Sequence, residues 1–289
     1  MNGAPADSQF VLTVRCPERP GILHAITSFV VEHGCDISEH QQFDDTARGQ
    51  VFLRTGFTGP PAGITVEGLR PAFTPTGDAF QMDWQLYDAS RRPRVLIMVS
   101  RFDHCLTDLL YRWRSASLPA EPVLVVSNHA DLRALAEDAG LRFVHLPVTT
   151  ATKPAAEAEL LRLVEAHQIE LVVLARYMQI LSNDLCKRLD GRAINIHHSF
   201  LPGFAGARPY HQAYDRGVKL VGATAHYVTP ELDEGPIIEQ EVVRVDHRLS
   251  PDGLVAAGRD AERVALARAV TWHCQRRVLL NGNRTVVFD

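Results

Sequence analysis

Asn195-Ile196-His197-His198-Ser199-Phe200-Leu201-Pro202-Gly203 is the stretch on which the reading of this chain turns. Polar residues alternate with apolar ones at the carboxyl end of a strand predicted over Ala193 to His197. Asn195 and His197 are two apart, so they project to the same side of that strand. In an open α/β sheet, the carboxyl ends of the strands form the edge where ligands bind. Spacing alone equally allows a hydrogen-bonded polar strand end.

Working outward, the same apolar rhythm recurs. Val95 to Val99, Pro122 to Val126, Phe143 to Leu146 and Ile169 to Leu174 read as buried strands. Helices alternate with them, marked by Leu106, Leu109, Leu110 and Trp113, by Leu132 to Ala139, by Pro154 to His167, and by Asn183 to Leu189 capped by Ser182. Buried strands that alternate with helices predict a mostly parallel sheet covered on both faces, a Rossmann-like α/β plan. Two strands then follow directly, Leu220 to Val228 and Pro236 to Val245, and Ser250-Pro251 opens a helix predicted to run to about Leu280.

Upstream the pattern differs. Phe10 to Arg15, Asp36 to Asp44, Gln50 to Phe57 and Met82 to Tyr87 read as strands. One helix starts after Pro20-Gly21, and a second over Val66 to Phe80 should be shortened or kinked by Pro71 and Pro75. The order βαββαβ predicts a ferredoxin-like unit. The boundaries are therefore 1–88 for the first domain, 89–94 for a linker and 95–289 for the second.

Composition narrows the function. The chain has 289 residues, 46% of them hydrophobic and 22% charged, with a net charge of −4. A balance so near neutral argues against a nucleic-acid surface. Apolar runs are strand-sized, Met1 to Gln9 carries no signal-peptide pattern, and five scattered cysteines read as reduced thiols. These features predict a cytoplasmic protein with no membrane partner. Thirteen histidines include no HExxH and no close Cys/His set, so no metal is expected. Gly203-x-x-Gly206 follows the wrong strand for a dinucleotide fingerprint. Arg259, Arg263, Arg268, Arg276 and Arg277 read as a solvated helix face, and Cys105 as a packed thiol. Gly203, Gly206 and Pro209 read as turn residues bordering a pocket. The connection Thr229-Pro230-Glu231-Leu232-Asp233-Glu234-Gly235-Pro236 is longer than a hairpin needs, and long loops on rigid strands tend to carry function.

Asn195-Ile196-His197, Ser199-Phe200-Leu201-Pro202-Gly203 and Leu232-Asp233-Glu234-Gly235-Pro236-Ile237-Ile238 resemble the formyltransferase fold that handles 10-formyltetrahydrofolate, over about residues 93 to 289. Arg15-Cys16-Pro17-Glu18-Arg19-Pro20-Gly21-Ile22-Leu23 resembles the start of an ACT domain. The two in this order, with the His197-His198 pair, resemble the formyltetrahydrofolate deformylase family. The resemblance implies hydrolysis of 10-formyltetrahydrofolate to formate and tetrahydrofolate, a hydrolase that balances the one-carbon folate pool and serves purine biosynthesis. Its substrates would be the folate and water, with no cofactor. It assigns Asn195, His197 and Asp233 to catalysis. Asn195 and a protonated His197 would donate to the oxyanion, while Asp233 orients the imidazole or moves protons, and the general base stays open between His197 and Asp233. It places the folate ring at Met178, Gln179, Ile180 and Leu181, with His198 and Ser199 in support. It also implies a homo-oligomer with an amino-acid effector at Pro20, Gly21 and Ile22. Two other readings are a transferase with glycinamide ribonucleotide as acceptor, and a non-catalytic sensor of folate or amino acids.

Overall fold

A computed structural model describes residues 8–59, 63–201 and 209–289, and it divides into two compact units. The first contains β1 (Ser8–Pro17), α1 (Ile22–Glu32), β2 (Asp36–Asp45), β3 (Gln50–Gly59), α2 (Val66–Ala79) and β4 (Asp83–Asp88). The strands form an antiparallel sheet in the order β2-β3-β1-β4. Alternating residues of β1 and β3, among them Phe10, Leu12, Val14, Val51, Leu53 and Phe57, meet Ile26, Phe29, Leu69 and Phe73 from the two helices in one apolar core. The period of two on the strands and of about 3.6 on the helices sets which side chains can meet there.

Two expectations for this unit are corrected. Helix α2 runs unbroken through Pro71 and Pro75. Both prolines are exposed, while Val66, Leu69, Phe73 and Gly77 face the core. The carbonyls of Glu67 and Pro71, which lose their i+4 partners, belong to exposed residues that solvent reaches, and packing holds the opposite face. The second correction concerns the boundary: residues 275–279 and 286–289 group with the first unit, not the second. Arg54, buried on β3, donates to the Gln275 carbonyl at 3.1 Å, and Asp289 N–H donates to Gln41 Oε1 at 3.0 Å. The sheet face away from the helices is thus covered by the end of the chain, and β3 is buried on both sides.

The second unit continues with β5 (Arg94–Val99), α3 (His104–Arg114), β6 (Glu121–Ser127), α4 (Arg133–Asp138), β7 (Arg142–His145), α5 (Lys153–Ala166), β8 (Leu171–Leu174), α6 (Asn183–Arg188) and β9 (Ala193–His197). Then come α7 (Pro209–Asp215), β10 (Leu220–Tyr227), β11 (Ile237–Arg244) and α8 (Pro251–Cys274). The seven strands lie in the order β11-β10-β9-β8-β5-β6-β7. Strands β7, β6, β5, β8 and β9 are parallel, and β10 and β11 close the sheet antiparallel. The order reverses beside β5, which opens a crevice between the ends of β5 and β8. Ser182 caps α6 by accepting from Leu185 N–H.

Helix α8 stops at Cys274, short of the expected Leu280. Arg276 takes a left-handed backbone with φ 59°, and a hairpin follows, β12 (Val278–Asn281) and β13 (Arg284–Val287). Gly282-Asn283 makes the turn, with Gly282 at φ 64°, a hairpin signal that lies beyond the helical pattern. The five arginines near this helix are not a free basic stripe. Arg263 pairs with Asp260, Arg268 with Glu239 and Glu241, and Arg277 donates to the Phe288 carbonyl. Arg259 and Arg276 lie on the Phe102 and Tyr87 rings. All five cysteines are buried and free, and no described helix is long and apolar enough to cross a membrane.

Candidate active site

Strand β9 supplies Asn195 and His197 on one face, and the antiparallel neighbour β10 sets His226 opposite Asn195 and Thr224 opposite His197. Four polar side chains therefore share one patch of the sheet. The loop between β10 and β11 folds back over that patch instead of turning away. Gly235 permits this, because a Cβ there would lie 1.7 Å from the Tyr227 carbonyl oxygen. Asp233 sits in this loop with φ 59°, a left-handed conformation that Asp tolerates better than most residues.

The fold-back brings Asp233 Oδ1 to 3.2 Å from His197 Nδ1 and 3.7 Å from His226 Nε2. Burial pushes the Asp233 carboxyl up, but the hydrogen bond from His197 and the neighbouring imidazoles outweigh it, and the net shift is downward. The carboxylate form is favoured. His226 Nδ1 lies 2.9 Å from the Tyr227 carbonyl, which can only accept, so this nitrogen carries the proton. Nε2 then accepts from Asn195 Nδ2 at 3.3 Å. Burial lowers the His226 pKa and keeps the ring neutral in that role. Asn195 is thereby oriented, and among the described residues no group accepts its second amide hydrogen.

A cavity of about 230 Å³ opens beside these groups. Asn195, His197, His198, His226 and Asp233 line it together with Arg176, Met178, Gln179, Ile180, Leu181 and Leu232. Met178, Ile180 and Leu232 are exposed there and make an apolar rim. Ser100, at the end of β5, accepts from Met178 N–H at 2.9 Å and donates to Asn128 at 2.7 Å, which anchors the rim segment to the sheet. Ser199 is not among the lining residues; it is buried, and its carbonyl accepts from the Thr224 hydroxyl at 3.0 Å. His198 packs 5.0 Å from the His197 ring. Burial, then the charges of Arg176 and His197, push its pKa down to about 4.

Gly203 and Gly206 lie outside the described residues, and Pro209 begins α7. In the first unit, Gly21 precedes α1 with φ 94°, Pro20 is exposed and Ile22 belongs to the core. Sequence reasoning missed His226, Arg176 and the role of Gly235. The signal for His226 was present: Thr224 and His226 are the alternating polar positions of an otherwise small and apolar strand. It also missed one group with metal-ligand chemistry, His104, Cys105 and Glu262, whose donor atoms lie within 4.8 Å of one another. Arg176 already faces Glu262, and burial with the Glu262 charge pushes the Cys105 thiol up, which disfavours the thiolate a metal needs.

A model of the formyl transferase family matches residues 93–270. A formyltetrahydrofolate deformylase from Corynebacterium sp. (strain P-1) is 57% identical over 277 residues, 96% of this chain and 97% of that protein. The chain belongs to the formyltetrahydrofolate deformylase family. A crystal structure of a deformylase from Burkholderia mallei superposes with a TM-score of 0.94 at 52% identity, covering 98% of this chain and 100% of the other. Glycinamide ribonucleotide transformylase 1 from Symbiobacterium toebii is more distant. It has a TM-score of 0.64 at 30% identity and covers 71% of this chain and 98% of its own. The likeness to the deformylases spans both units; that to the transformylase spans less of the chain.

Proposed function

We propose that the chain hydrolyses 10-formyltetrahydrofolate to formate and tetrahydrofolate, with Asn195, His197 and Asp233 as its catalytic residues. The observation that carries this is the meeting of all three in one cavity, with His197 Nδ1 3.2 Å from Asp233 Oδ1. Hydrolysis of a formamide needs water on the formyl carbon and donors for the oxyanion. Asn195, held by His226, offers an amide hydrogen to that oxygen, and His197 offers Nε2 because Nδ1 faces Asp233. Among the described residues, Asp233 Oδ2 has no side-chain partner and is placed to bind the attacking water. The water proton passes to the His197–Asp233 pair, and the pair returns one to the folate nitrogen that leaves. The apolar rim at Met178, Ile180 and Leu232 receives the ring system, with Gln179 and Leu181 reading its edge and His198 neutral beside it. No metal or cofactor takes part.

The first unit is a regulatory ACT domain in a cytoplasmic homo-oligomer, and an amino acid binds at the Pro20-Gly21-Ile22 turn. The βαββαβ order and the left-handed Gly21 support that reading. The test is formate release from purified protein in chelator-treated buffer, with no acceptor present. Formate and tetrahydrofolate should appear in equal amounts, at a rate that glycinamide ribonucleotide does not change. Stoichiometric formylation of that nucleotide, or a rate that returns only with added zinc or iron, would refute the proposal.

A further inference from the structure

Arg176 has no task in the hydrolytic scheme, yet its surroundings suit a ligand. It directly follows the Ala175 that ends the apolar run of β8, and its backbone is left-handed, with φ 65°. Its side chain is 10% exposed, and among the described residues that line the cavity it is the one arginine or lysine. The guanidinium lies 5.1 Å from the centre of the Phe102 ring, and its Nε is 3.3 Å from Glu262 Oε2. That oxygen is hydrogen-bonded to His104 Nε2 at 2.8 Å. Arg176 Nε is buried with no hydrogen-bond partner, and the other guanidinium nitrogens make no hydrogen bond to a described residue. Glu262 therefore offsets the charge, while the N–H donors of the fork stay unused. Buried donors without acceptors are costly, and each calls for an explanation. The charge is also felt across the cavity. After burial, Arg176 is the largest influence that lowers the His198 pKa, and the His198 ring packs 5.0 Å from the His197 ring.

We propose that Arg176 is a carboxylate-binding residue of this cavity. The proposal rests on the hydrolytic reading above. A planar guanidinium matches a carboxylate with two parallel N–H···O bonds, which is the use its idle donors fit. Hydrolysis makes such a group in place. The water oxygen bonds to the formyl carbon, and the bond from that carbon to the folate nitrogen breaks. One water proton goes to that nitrogen, and the other is released as formic acid ionises. A neutral formamide thus becomes an anion in a cavity that the Asp233 carboxylate also lines. Like charges repel there, and a fixed cation on the cavity wall offsets the repulsion. The glutamate end of the folate carries the same chemistry, so formate and that group are the two sources of the ligand.

The experiment reads binding without turnover, as NMR magnetisation transfer from the protein to ligand protons, with ionic strength held constant by chloride. Sodium formate and N-(4-aminobenzoyl)glutamate are each titrated into wild type, Arg176→Gln and Arg176→Lys. The lysine variant keeps a cation beside Glu262 and loses only the fork, so it decides the matter even if Arg176→Gln does not fold. Formate should bind the wild type, with a Kd that rises about tenfold or more in Arg176→Gln and about threefold or more in Arg176→Lys. The same losses for N-(4-aminobenzoyl)glutamate, with formate unaffected, would support the carboxylate site with the glutamate end of the folate as its ligand. Binding of neither probe to the wild type would overturn the proposal, and so would equal affinities for both probes in wild type and folded Arg176→Lys. A wild type that releases no formate from 10-formyltetrahydrofolate would overturn the hydrolytic reading instead, and the titrations would still decide the site.

Discussion

Among the described residues of the second unit, two carboxylates meet histidines in very different surroundings. His104 Nε2 and Glu262 Oε2 are 2.8 Å apart; His197 Nδ1 and Asp233 Oδ1 are 3.2 Å apart. By distance the first pair is the tighter. Yet Glu262 is 1% exposed and faces Arg176 as well, whereas Asp233 is 28% exposed at the mouth of a cavity. Enclosure puts Glu262 out of a substrate's reach, whereas Asp233 reaches the cavity from a loop. The same residue types thus sit in surroundings that differ in access, and short distance alone does not mark a reactive pair.

The largest expected effect falls on the enclosed pair. Glu262→Ala strips the counter-charge from buried Arg176 and the hydrogen-bond partner from His104, and should lower unfolding free energy by about 3–5 kcal/mol. Urea titration measures this, and a loss below about 1 kcal/mol would show that the pair is not the lock described here. At the open pair, Asp233→Asn, His197→Ala and Asn195→Ala should each reduce formate release about a hundredfold or more, roughly 2.7 kcal/mol in the barrier. Circular dichroism should remain native in all three. Near wild-type rates in the three variants would remove the distinction between the pairs.

A smaller effect is expected from Gly235→Ala. The added Cβ collides with the Tyr227 carbonyl and pushes the loop, with Asp233, off the sheet. Formate release should fall between about tenfold and a hundredfold, since a displacement near 1 Å is enough to disturb the reacting geometry. An unchanged rate would mean that Asp233 does not need the fold-back. The mildest effect concerns His198, which lies between the two pairs. Its pKa is about 4 in the folded chain against 6.5 ordinarily. Between those values the unfolded chain binds more protons, so stability falls as pH drops from 6.5 toward 4 and the loss levels off below that. His198→Gln should flatten this acid-side loss in thermal melts across that window, whereas an identical pH profile would place the ring outside the charged region between the pairs.

Much of this was legible in the residue pattern. The apolar runs Val95 to Val99 and Leu171 to Leu174 could only be strands buried on both faces, and helical spacing between them left a parallel sheet as the consistent outcome. The period of two by itself puts Asn195 and His197 on one side of the strand. The prolines of α2 misled, because propensity describes a helix in water and says nothing of the packed face that holds this one on its sheet. The C-terminal hairpin was hidden by the helical pattern running into it, although Gly282-Asn283 marked its turn.

By itself, then, the sequence determined the order of elements from β1 through β9 and the patch formed by Asn195 and His197. Local chemistry, meaning periodicity, caps and turn residues, is enough for those. Only the tertiary structure decided which distant groups complete the patch. His226 arrives through the antiparallel register of β10 on β9, and Asp233 through the close backbone approach that Gly235 allows. Arg176, Phe102 and Glu262 are brought together from the ends of two strands and the middle of a late helix. Such pairings depend on strand register and backbone path between segments far apart in the chain, and no pattern within a single segment encodes them.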